Sequence, residues 1–336
     1  MPSLTADALR GADPTGQLAE VLDLPAHLRD ALWRVDSAGL APRASAGLVI
    51  AGMGGSAVGG ALARAALGDR ERKPIVLVRD YALPAWVDES WSVLLSSYSG
   101  STEETLACWD AATAAGAHRV VSTTGGPLAE RARADRVAVI PLPGGFQPRA
   151  AVGYATVVAL EVAALAGVGP SLRDEVEAAA GLIESLAAEW GPQAPDDAEP
   201  KALAAALQGR LPVFTGAGLT APVAYRWKCQ VNENANRAAF WSELPEADHN
   251  EIEGWGDRSV LEPVFLEDPV DTHPRVLERF ELTARIIGGA TRVRARGETR
   301  LERQMSLVHL GDLVSIYLAA LDGTDPAAIP ALLQLK

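Results

Sequence analysis

Two short stretches of small and hydroxyl-bearing residues each follow an apolar run that is typical of a buried strand. The first reads AGMGGSA at residues 51–57, and the second reads SSYSGSTEET at residues 96–105. The start of a helix presents unpaired backbone N–H groups and the positive end of the helix dipole. Two such turns side by side form an anion pocket, so we expect them to bind a phosphate group. The expected ligands are Gly54, Gly55, Ser56, Ser97, Ser99 and Thr102.

The first turn also nearly matches a dinucleotide-binding fingerprint. Gly52, Gly54 and Ala57 have the spacing of its glycine turn, and Asp80 closes the next predicted strand, where a ribose-binding acid is found. An NAD(P)-dependent oxidoreductase is therefore one hypothesis. A dinucleotide site does not need the hydroxyl groups of the second turn, and this favours the phosphate pocket. Residues 101–104 also have the spacing of a capping box, in which a hydroxyl group caps the helix.

The elements around these turns alternate between short apolar strands and helices, which predicts a parallel sheet with helices on both faces. The predicted strands lie at residues 48–51, 75–78, 93–97, 120–122 and 137–141. After a Pro-rich acidic stretch at residues 191–200, expected to be a loop or linker, the pattern restarts. We therefore predict an α/β fold of two tandem αβα-sandwich domains with parallel sheets. Residues 1–168 would hold leading helices and the phosphate-binding turns, and residues 169–336 would form the second domain.

Composition and charge limit the classes of function. The 336 residues are 48% hydrophobic and 22% charged, which is typical of a globular protein. The net charge of −13 argues against nucleic acid and against an anionic membrane, because both need a basic face. Cys108 and Cys229 have no metal-ligand spacing and indicate a reducing compartment. The first residues lack a signal-peptide pattern, and the apolar segment 150–168 carries Glu161, so we expect a core helix of a cytoplasmic protein.

Further motifs follow the turns along the chain. They are GGFQPR at 144–149, NENA at 232–235, ELPEADHNEIEGW at 243–255, GDLVSIYLA at 311–319 and DP at 325–326. The turns resemble those of the sugar isomerase (SIS) domain, which binds phosphosugars. With the later motifs, the chain resembles the bifunctional phosphoglucose/phosphomannose isomerases from about residue 45 to its end. The resemblance implies two SIS domains and an aldose–ketose isomerase that interconverts glucose 6-phosphate and mannose 6-phosphate with fructose 6-phosphate.

Such an isomerase moves a proton between C1 and C2 through a cis-enediolate, and it requires neither a metal nor a redox cofactor. The reaction needs a carboxylate base, a cation near the developing oxyanion and an acid that opens the sugar ring. The resemblance implies that Glu233 is the base and that Arg149, which stays protonated, stabilises the enediolate. His249, on a helix predicted at residues 245–252, matches a ring-opening histidine that reaches the active site of the partner subunit, which implies a homodimer. Lys336 matches a lysine of the active site.

Besides the dinucleotide hypothesis, one alternative function and the sugar preference stay open at the level of sequence. A non-catalytic SIS protein that senses a phosphosugar would need only the phosphate-binding turns, although the joint presence of Glu233, His249 and Arg149 favours an enzyme. The two aldose substrates differ only at C2, which becomes planar in the enediolate, so the sequence does not decide between them. The other histidines lack a comparable context and are expected to be structural. They are His27, His118, His273 and His309.

Overall fold

The computed structural model describes residues 4–256 and 260–334. Up to residue 190 the elements are α1 (Ala6–Ala12), α2 (Gln17–Leu22), α3 (Leu24–Ser37), β1 (Leu48–Ala51), α4 (Gly54–Leu67), β2 (Ile75–Val78), β3 (Ser92–Ser96), α5 (Glu103–Ala114), β4 (His118–Thr123), α6 (Gly126–Ala134), β5 (Ala138–Pro141), α7 (Val152–Leu165) and α8 (Arg173–Trp190). Beyond it they are α9 (Glu199–Leu207), β6 (Leu211–Gly216), α10 (Ala221–Asn234), β7 (Phe240–Glu243), β8 (Leu261–Glu267), α11 (Pro274–Ile286), β9 (Thr291–Arg294), α12 (Arg300–Asp322) and α13 (Pro330–Gln334).

The chain forms two compact units, each with its own sheet. The first-sheet unit consists of residues 24–180, and the second-sheet unit consists of the described residues before 24 and after 180. This division differs from the predicted boundary at residue 168 in two respects. The first part of α8 belongs to the first-sheet unit, and the leading helices α1 and α2 pack on α12 of the second-sheet unit.

The first sheet has five parallel strands in the order β2-β1-β3-β4-β5. In its middle β1 and β3 lie side by side with Ala51 opposite Leu95, and all residues of both strands are buried because helices cover both faces. On one face α4 lies so close that a Cβ atom on Gly60 would be 2.8 Å from Cγ2 of Ile50. On the other face α5 and α6 share a buried cluster with β1, β3 and β4. The five predicted strands are confirmed, with ends shifted by at most two residues.

The second sheet has four parallel strands in the order β7-β6-β8-β9, which repeats the order β2-β1-β3-β4 of the first sheet. Successive register positions on β6 and β8 point Phe214 and Phe265 to opposite faces. Phe214 meets Trp227 of α10, and Phe265 meets Phe280 of α11, each with ring centroids 5.4 Å apart. Both faces of this sheet are therefore covered by helices. The predicted α/β class with tandem parallel sheets is confirmed.

Two helical segments, Pro148–Leu165 and Arg300–Asp322, are long and apolar enough to cross a membrane, but 78% and 94% of their most apolar windows are buried inside the protein. Burial of this kind is typical of core helices. The first segment contains the charge that the sequence analysis singled out, Glu161. Its side chain is buried and accepts a hydrogen bond of 2.7 Å from Nε of Arg173, which also contacts Asp36. The paired arginine is the reason that a carboxylate is tolerated in this apolar helix.

One local prediction was wrong, and another was right except at its end. The helix predicted at residues 245–252 is a pair of 3-10 turns, Glu246–His249 and Glu251–Gly254. The stretch at residues 191–200, predicted as a loop or linker, is irregular up to residue 198 and ends in the first turn of α9, where Pro200 occupies an early helical position. Proline has no N–H to donate, and the first turn of a helix does not need one, so a proline-rich sequence can open a helix as readily as it forms a loop.

Candidate active site

The two predicted phosphate turns lie next to each other at the carboxyl end of the first sheet. Their strands, β1 and β3, are hydrogen-bonded neighbours. A Cβ atom on Gly52 would lie 2.6 Å from the backbone oxygen of Ser96, so only glycine permits the turns to approach this closely. Gly54 begins α4 with a φ angle of +52°, and Gly54, Gly55 and Ser56 are all at least partly exposed. The first turn of α4 receives no side-chain cap. The N–H of Ser56 donates to the backbone oxygen of Met53 over 3.1 Å, so the N–H groups of Gly54 and Gly55 are the candidates for binding an anion at this edge.

The hydroxyl groups of the second turn form a local network. The Oγ of Ser97 and the Oγ1 of Thr102 lie 2.8 Å apart, and the backbone N–H of Gly100 donates to Ser97 Oγ over 3.1 Å. Ser99 Oγ accepts hydrogen bonds from the backbone and the hydroxyl of Ser101. The predicted capping box is wrong, because the N-cap of α5 is Thr102 and its hydroxyl makes no capping bond. The side chain of Thr102 contacts the turn instead.

Arg149 lies beside the first turn. It belongs to the 3-10 turn Pro148–Ala151 that precedes α7, and only 5% of its surface is exposed. A Cβ atom on Gly55 would lie 3.4 Å from the Cα of Arg149 and 2.9 Å from the backbone oxygen of Pro148. Three motifs that are far apart in the chain, at residues 51–57, 96–105 and 144–149, therefore meet at one edge of this unit.

The loop after β4 supports the second turn, which no motif discussed above had predicted. Both the backbone N–H and the hydroxyl of Thr124 donate to the backbone oxygen of Tyr98, over 3.0 and 2.8 Å. Gly100 has a φ angle of +68°, and a Cβ atom there would lie 1.8 Å from the backbone oxygen of Gly125. The TTGG run at residues 123–126 is a sequence signal that could have indicated a third turn.

Glu233 lies in the second-sheet unit, near the end of α10. It lines a groove of about 580 Å³. The groove is formed by the last turns of α10, the residues after it and the segment that leads into α13. Its lining includes Lys228, Cys229, Asn232, Arg237 and Leu332. The wall also holds two cations, Lys228 and Arg237, of which Arg237 is paired with Asp322 over 3.3 Å.

A buried polar seam, which was not predicted from the sequence, fixes the orientation of α10. Arg226 donates two hydrogen bonds, of 2.9 and 2.7 Å, to the carboxylate of Asp312 on α12, and Gln230 donates a third. One turn later Asn234 donates to Ser315 over 2.8 Å. These residues of α10 are spaced by four, so they share one helix face and turn the neighbouring face toward the groove. The GDLVS motif at 311–315 thus serves to hold the helix that carries Glu233.

His249 is not among the described residues that line this groove. It is exposed at the end of the 3-10 turn Glu246–His249. The adjacent Asp248 is tied to α11, where it accepts hydrogen bonds from Arg279 over 3.1 Å and from Thr283 over 2.7 Å. The backbone of this turn is therefore anchored while the imidazole faces outward. Lys336, the other expected catalytic residue, lies outside the described residues.

The strand order argues against the dinucleotide hypothesis. The order β2-β1-β3-β4-β5 places the switch point between β1 and β3, whereas the dinucleotide-binding fold with the GxGxxG fingerprint has the order 3-2-1-4-5-6. Asp80 is engaged locally, where its carboxylate accepts from the N–H of Tyr81. Across residues 4–256 and 260–334, no group of three or more His, Cys, Asp or Glu side chains is placed to hold a metal ion.

Comparison with known proteins identifies the family. The chain is 38% identical over 299 residues to the bifunctional phosphoglucose/phosphomannose isomerase of Caldicellulosiruptor bescii, with 86% of this chain and 88% of that relative covered. It is 36% identical to the protein of the same name from Aquifex aeolicus, with 86% and 89% covered. The chain belongs to the bifunctional phosphoglucose/phosphomannose isomerase family. The resemblance seen in the motifs is thereby confirmed.

Two further comparisons agree with membership of the phosphoglucose/phosphomannose isomerase family. The family described as "Bacterial phospho-glucose isomerase C-terminal SIS domain" matches residues 196–336, the part that contains Glu233 and His249. The solved structure of a glucose-6-phosphate isomerase like protein from Thermus thermophilus aligns with a TM-score of 0.65 and 22% identity, covering 100% of this chain and 99% of that one. This likeness shows the shared SIS fold.

Proposed function

We propose that this protein is an aldose–ketose isomerase that interconverts glucose 6-phosphate and mannose 6-phosphate with fructose 6-phosphate. Its relatives carry the name bifunctional phosphoglucose/phosphomannose isomerase, and that name refers to both aldose phosphates. A cis-enediolate has no stereocentre at C2, so one pocket serves both sugars if it accepts either orientation of the C2 hydroxyl group.

The observation that carries this proposal is the contact between the Arg149 segment and the first phosphate turn. In the proposed mechanism Gly54, Gly55 and Ser56 with the hydroxyl groups of the second turn bind the phosphate group. Arg149 then stabilises the negative charge that develops on the enediolate oxygen, since a guanidinium in a buried setting acts more strongly than one in water.

Proton transfer between C1 and C2 is assigned to Glu233, and ring opening is assigned to His249. The exposed position of His249, outside the lining of the groove that holds Glu233, supports its action on substrate bound to a second copy of the chain. The proposal therefore includes a homodimer, with Lys336 as a further residue of the site. A phosphosugar isomerase of this kind would act in the cytoplasm, on soluble metabolites.

The test supplies purified protein, in the presence of EDTA, with glucose 6-phosphate and mannose 6-phosphate separately, and follows the formation of fructose 6-phosphate. Turnover of both sugars supports the bifunctional isomerase without a chelatable metal. Turnover of only one sugar would show that the pocket discriminates between the two orientations of the C2 hydroxyl group. If neither sugar reacts while a phosphosugar still raises the Tm, the protein is a sensor and the proposal is wrong.

A further inference from the structure

Tyr98 is the aromatic residue in the middle of the second phosphate turn, and the mechanism above does not use its side chain. Its backbone oxygen is held by the two hydrogen bonds from Thr124, which fix the turn against the loop after β4. The phenol ring is half-buried, and its hydroxyl group bonds to a different loop. The side chain is therefore not needed to hold its own turn in place.

The hydroxyl group of Tyr98 makes two hydrogen bonds to the backbone of one loop. It donates to the backbone oxygen of Pro143 over 3.0 Å, and it accepts from the backbone N–H of Phe146 over 2.9 Å. A phenol has one proton to donate and lone pairs to accept with, so this geometry uses both capacities. The loop that it grips, residues 143–147, leads directly into the 3-10 turn that carries Arg149.

The loop at residues 143–147 has a flexible backbone, which the hydrogen bonds to Tyr98 hold in place. Gly144 and Gly145 are adjacent and exposed, and Gly145 has a φ angle of +103°. Two consecutive glycines leave a backbone with many accessible conformations. The ring of Phe146 packs on His27 and Tyr154, with centroids 4.8 and 6.0 Å away, which holds the side chain of the loop while Tyr98 holds its main chain.

We propose that Tyr98 is a positioning residue, whose hydroxyl group couples the phosphate-binding turn to the loop that sets the position of Arg149. The inference rests on the proposed function, in which Arg149 faces the enediolate. Because the phosphate and the guanidinium must both meet one substrate, their supports have to be held at a fixed separation. Displacement of a catalytic group by about 1 Å costs up to about a hundredfold in rate.

The test compares Tyr98→Phe with Tyr154→Phe. Each variant removes one hydroxyl group from the same aromatic cluster. The hydroxyl group of Tyr154 donates to Asp30 of α3, whereas that of Tyr98 bonds to the loop at residues 143–147. Two readouts are measured on the full chain. The first is hydrogen exchange of the Phe146 amide, and the second is the steady-state kinetics with glucose 6-phosphate, together with inhibition by inorganic phosphate.

In Tyr98→Phe we expect the Phe146 amide to exchange about tenfold faster, as one hydrogen bond is lost. We expect kcat to fall by about ten- to a hundredfold, while KM and the inhibition constant of phosphate change by less than about threefold. Tyr154→Phe should leave both readouts unchanged. If the role of Tyr98 were merely structural, kcat would not fall while KM stays nearly constant, and the two variants would not differ.

Three results would overturn the inference. An unchanged kcat despite faster exchange would show that the coupling does not serve Arg149. An equal fall of kcat in Tyr154→Phe would show a general effect of the cluster. A rise of KM and weaker phosphate inhibition with kcat intact would make Tyr98 part of phosphate binding. Absence of turnover in the wild type is a different failure, since it contradicts the proposed function itself. In that case the exchange experiment still decides whether Tyr98 couples the turn to the loop at residues 143–147.

Discussion

Gly55 and Arg149 touch through their backbones: a Cβ atom added to Gly55 would lie 3.4 Å from the Cα of Arg149. The same atom would lie 2.9 Å from the backbone oxygen of Pro148, a distance that Cβ atoms do not adopt. The glycine is thus required by the neighbouring segment as well as by the turn itself. The first phosphate turn and the proposed enediolate-stabilising arginine form one packed unit.

Replacement of Gly55 by alanine should push the Arg149 segment away from the turn. We expect a destabilisation of about 1–3 kcal/mol and a marked loss of kcat, because the backbone oxygen of Pro148 has to move. Gly144→Ala is the matched control, since a Cβ atom there meets open space. Urea unfolding and steady-state kinetics measure the two effects. Wild-type kinetics in Gly55→Ala would show that the contact is not needed for catalysis.

The double change Ser99→Ala and Thr102→Ala tests the second phosphate turn. Thr102 contacts Ser97 and does not cap α5, so removing its hydroxyl should leave the helix stable while it weakens binding of the phosphate group. We expect KM to rise by about a hundredfold or more and phosphate inhibition to weaken in parallel, as for two lost hydrogen bonds to a charged group. The exposed Ser37→Ala, at the end of α3, is the control, with little change expected. If KM and phosphate inhibition both stay at wild-type values, the phosphate group binds elsewhere.

Glu233→Gln should abolish isomerisation while phosphosugar binding persists, because the lost group acts on the proton and not on the phosphate. General-base catalysis contributes about 10²–10⁴-fold, and we expect kcat to fall by that factor. Binding is followed by the rise of Tm with added fructose 6-phosphate. Glu184→Gln, at an exposed position of α8, controls for the loss of a charge in the same unit. Turnover near the wild-type rate in Glu233→Gln would remove Glu233 from the role of the base.

Asp312→Ala should be among the most destabilising single changes in the second-sheet unit. Arg226 and Asp312 are 2% and 5% exposed, so removing the carboxylate leaves a buried guanidinium without its charge partner. The expected loss is about 3–5 kcal/mol. Glu278→Ala breaks an exposed pair with Arg275 and should cost less than about 1 kcal/mol. Chemical denaturation of both variants gives the comparison, and equal small losses would mean that the seam does not hold α10.

His309 should make the protein less stable in acid. It is fully buried in α12 beside Trp190, and burial lowers its pKa to about 4. The unfolded chain, with an ordinary histidine pKa near 6.5, binds a proton first, so stability is complete above about pH 6.5 and is lost as the pH falls toward 4. The loss from this group amounts to roughly 3 kcal/mol.

The measurement for His309 is the free energy of unfolding between pH 4 and pH 7.5 in the wild type and in His309→Leu. Other groups titrate in both proteins, so the difference between the two curves isolates the histidine. We expect this difference to shift in favour of the leucine variant as the pH falls. A difference that is independent of pH would show that His309 titrates normally in the folded protein.

The chain by itself determined the fold class, the strand positions and the two strand-to-helix turns proposed to bind phosphate, because these depend on patterns within a few residues. Continuous apolar runs predict buried parallel strands, and runs such as GMGGS and SYSGST place N–H groups and hydroxyls where a strand meets a helix. The capping box and the helix at residues 245–252 were wrong although their local patterns were good. The Thr102 hydroxyl lies against Ser97 within the same turn, and Asp248 bonds to α11, so a competing hydrogen-bond partner is present at each position.

Only the tertiary structure decided how the motifs are held. The spacing of Arg226, Gln230 and Asn234 gives one helix face, but their partners Asp312 and Ser315 lie some 80 residues away, and no local rule pairs them. The leading helices α1 and α2 likewise belong to the second-sheet unit because they pack against α12. Hydrogen bonds and burial depend on distances in space, and a sequence pattern fixes such distances only within one element.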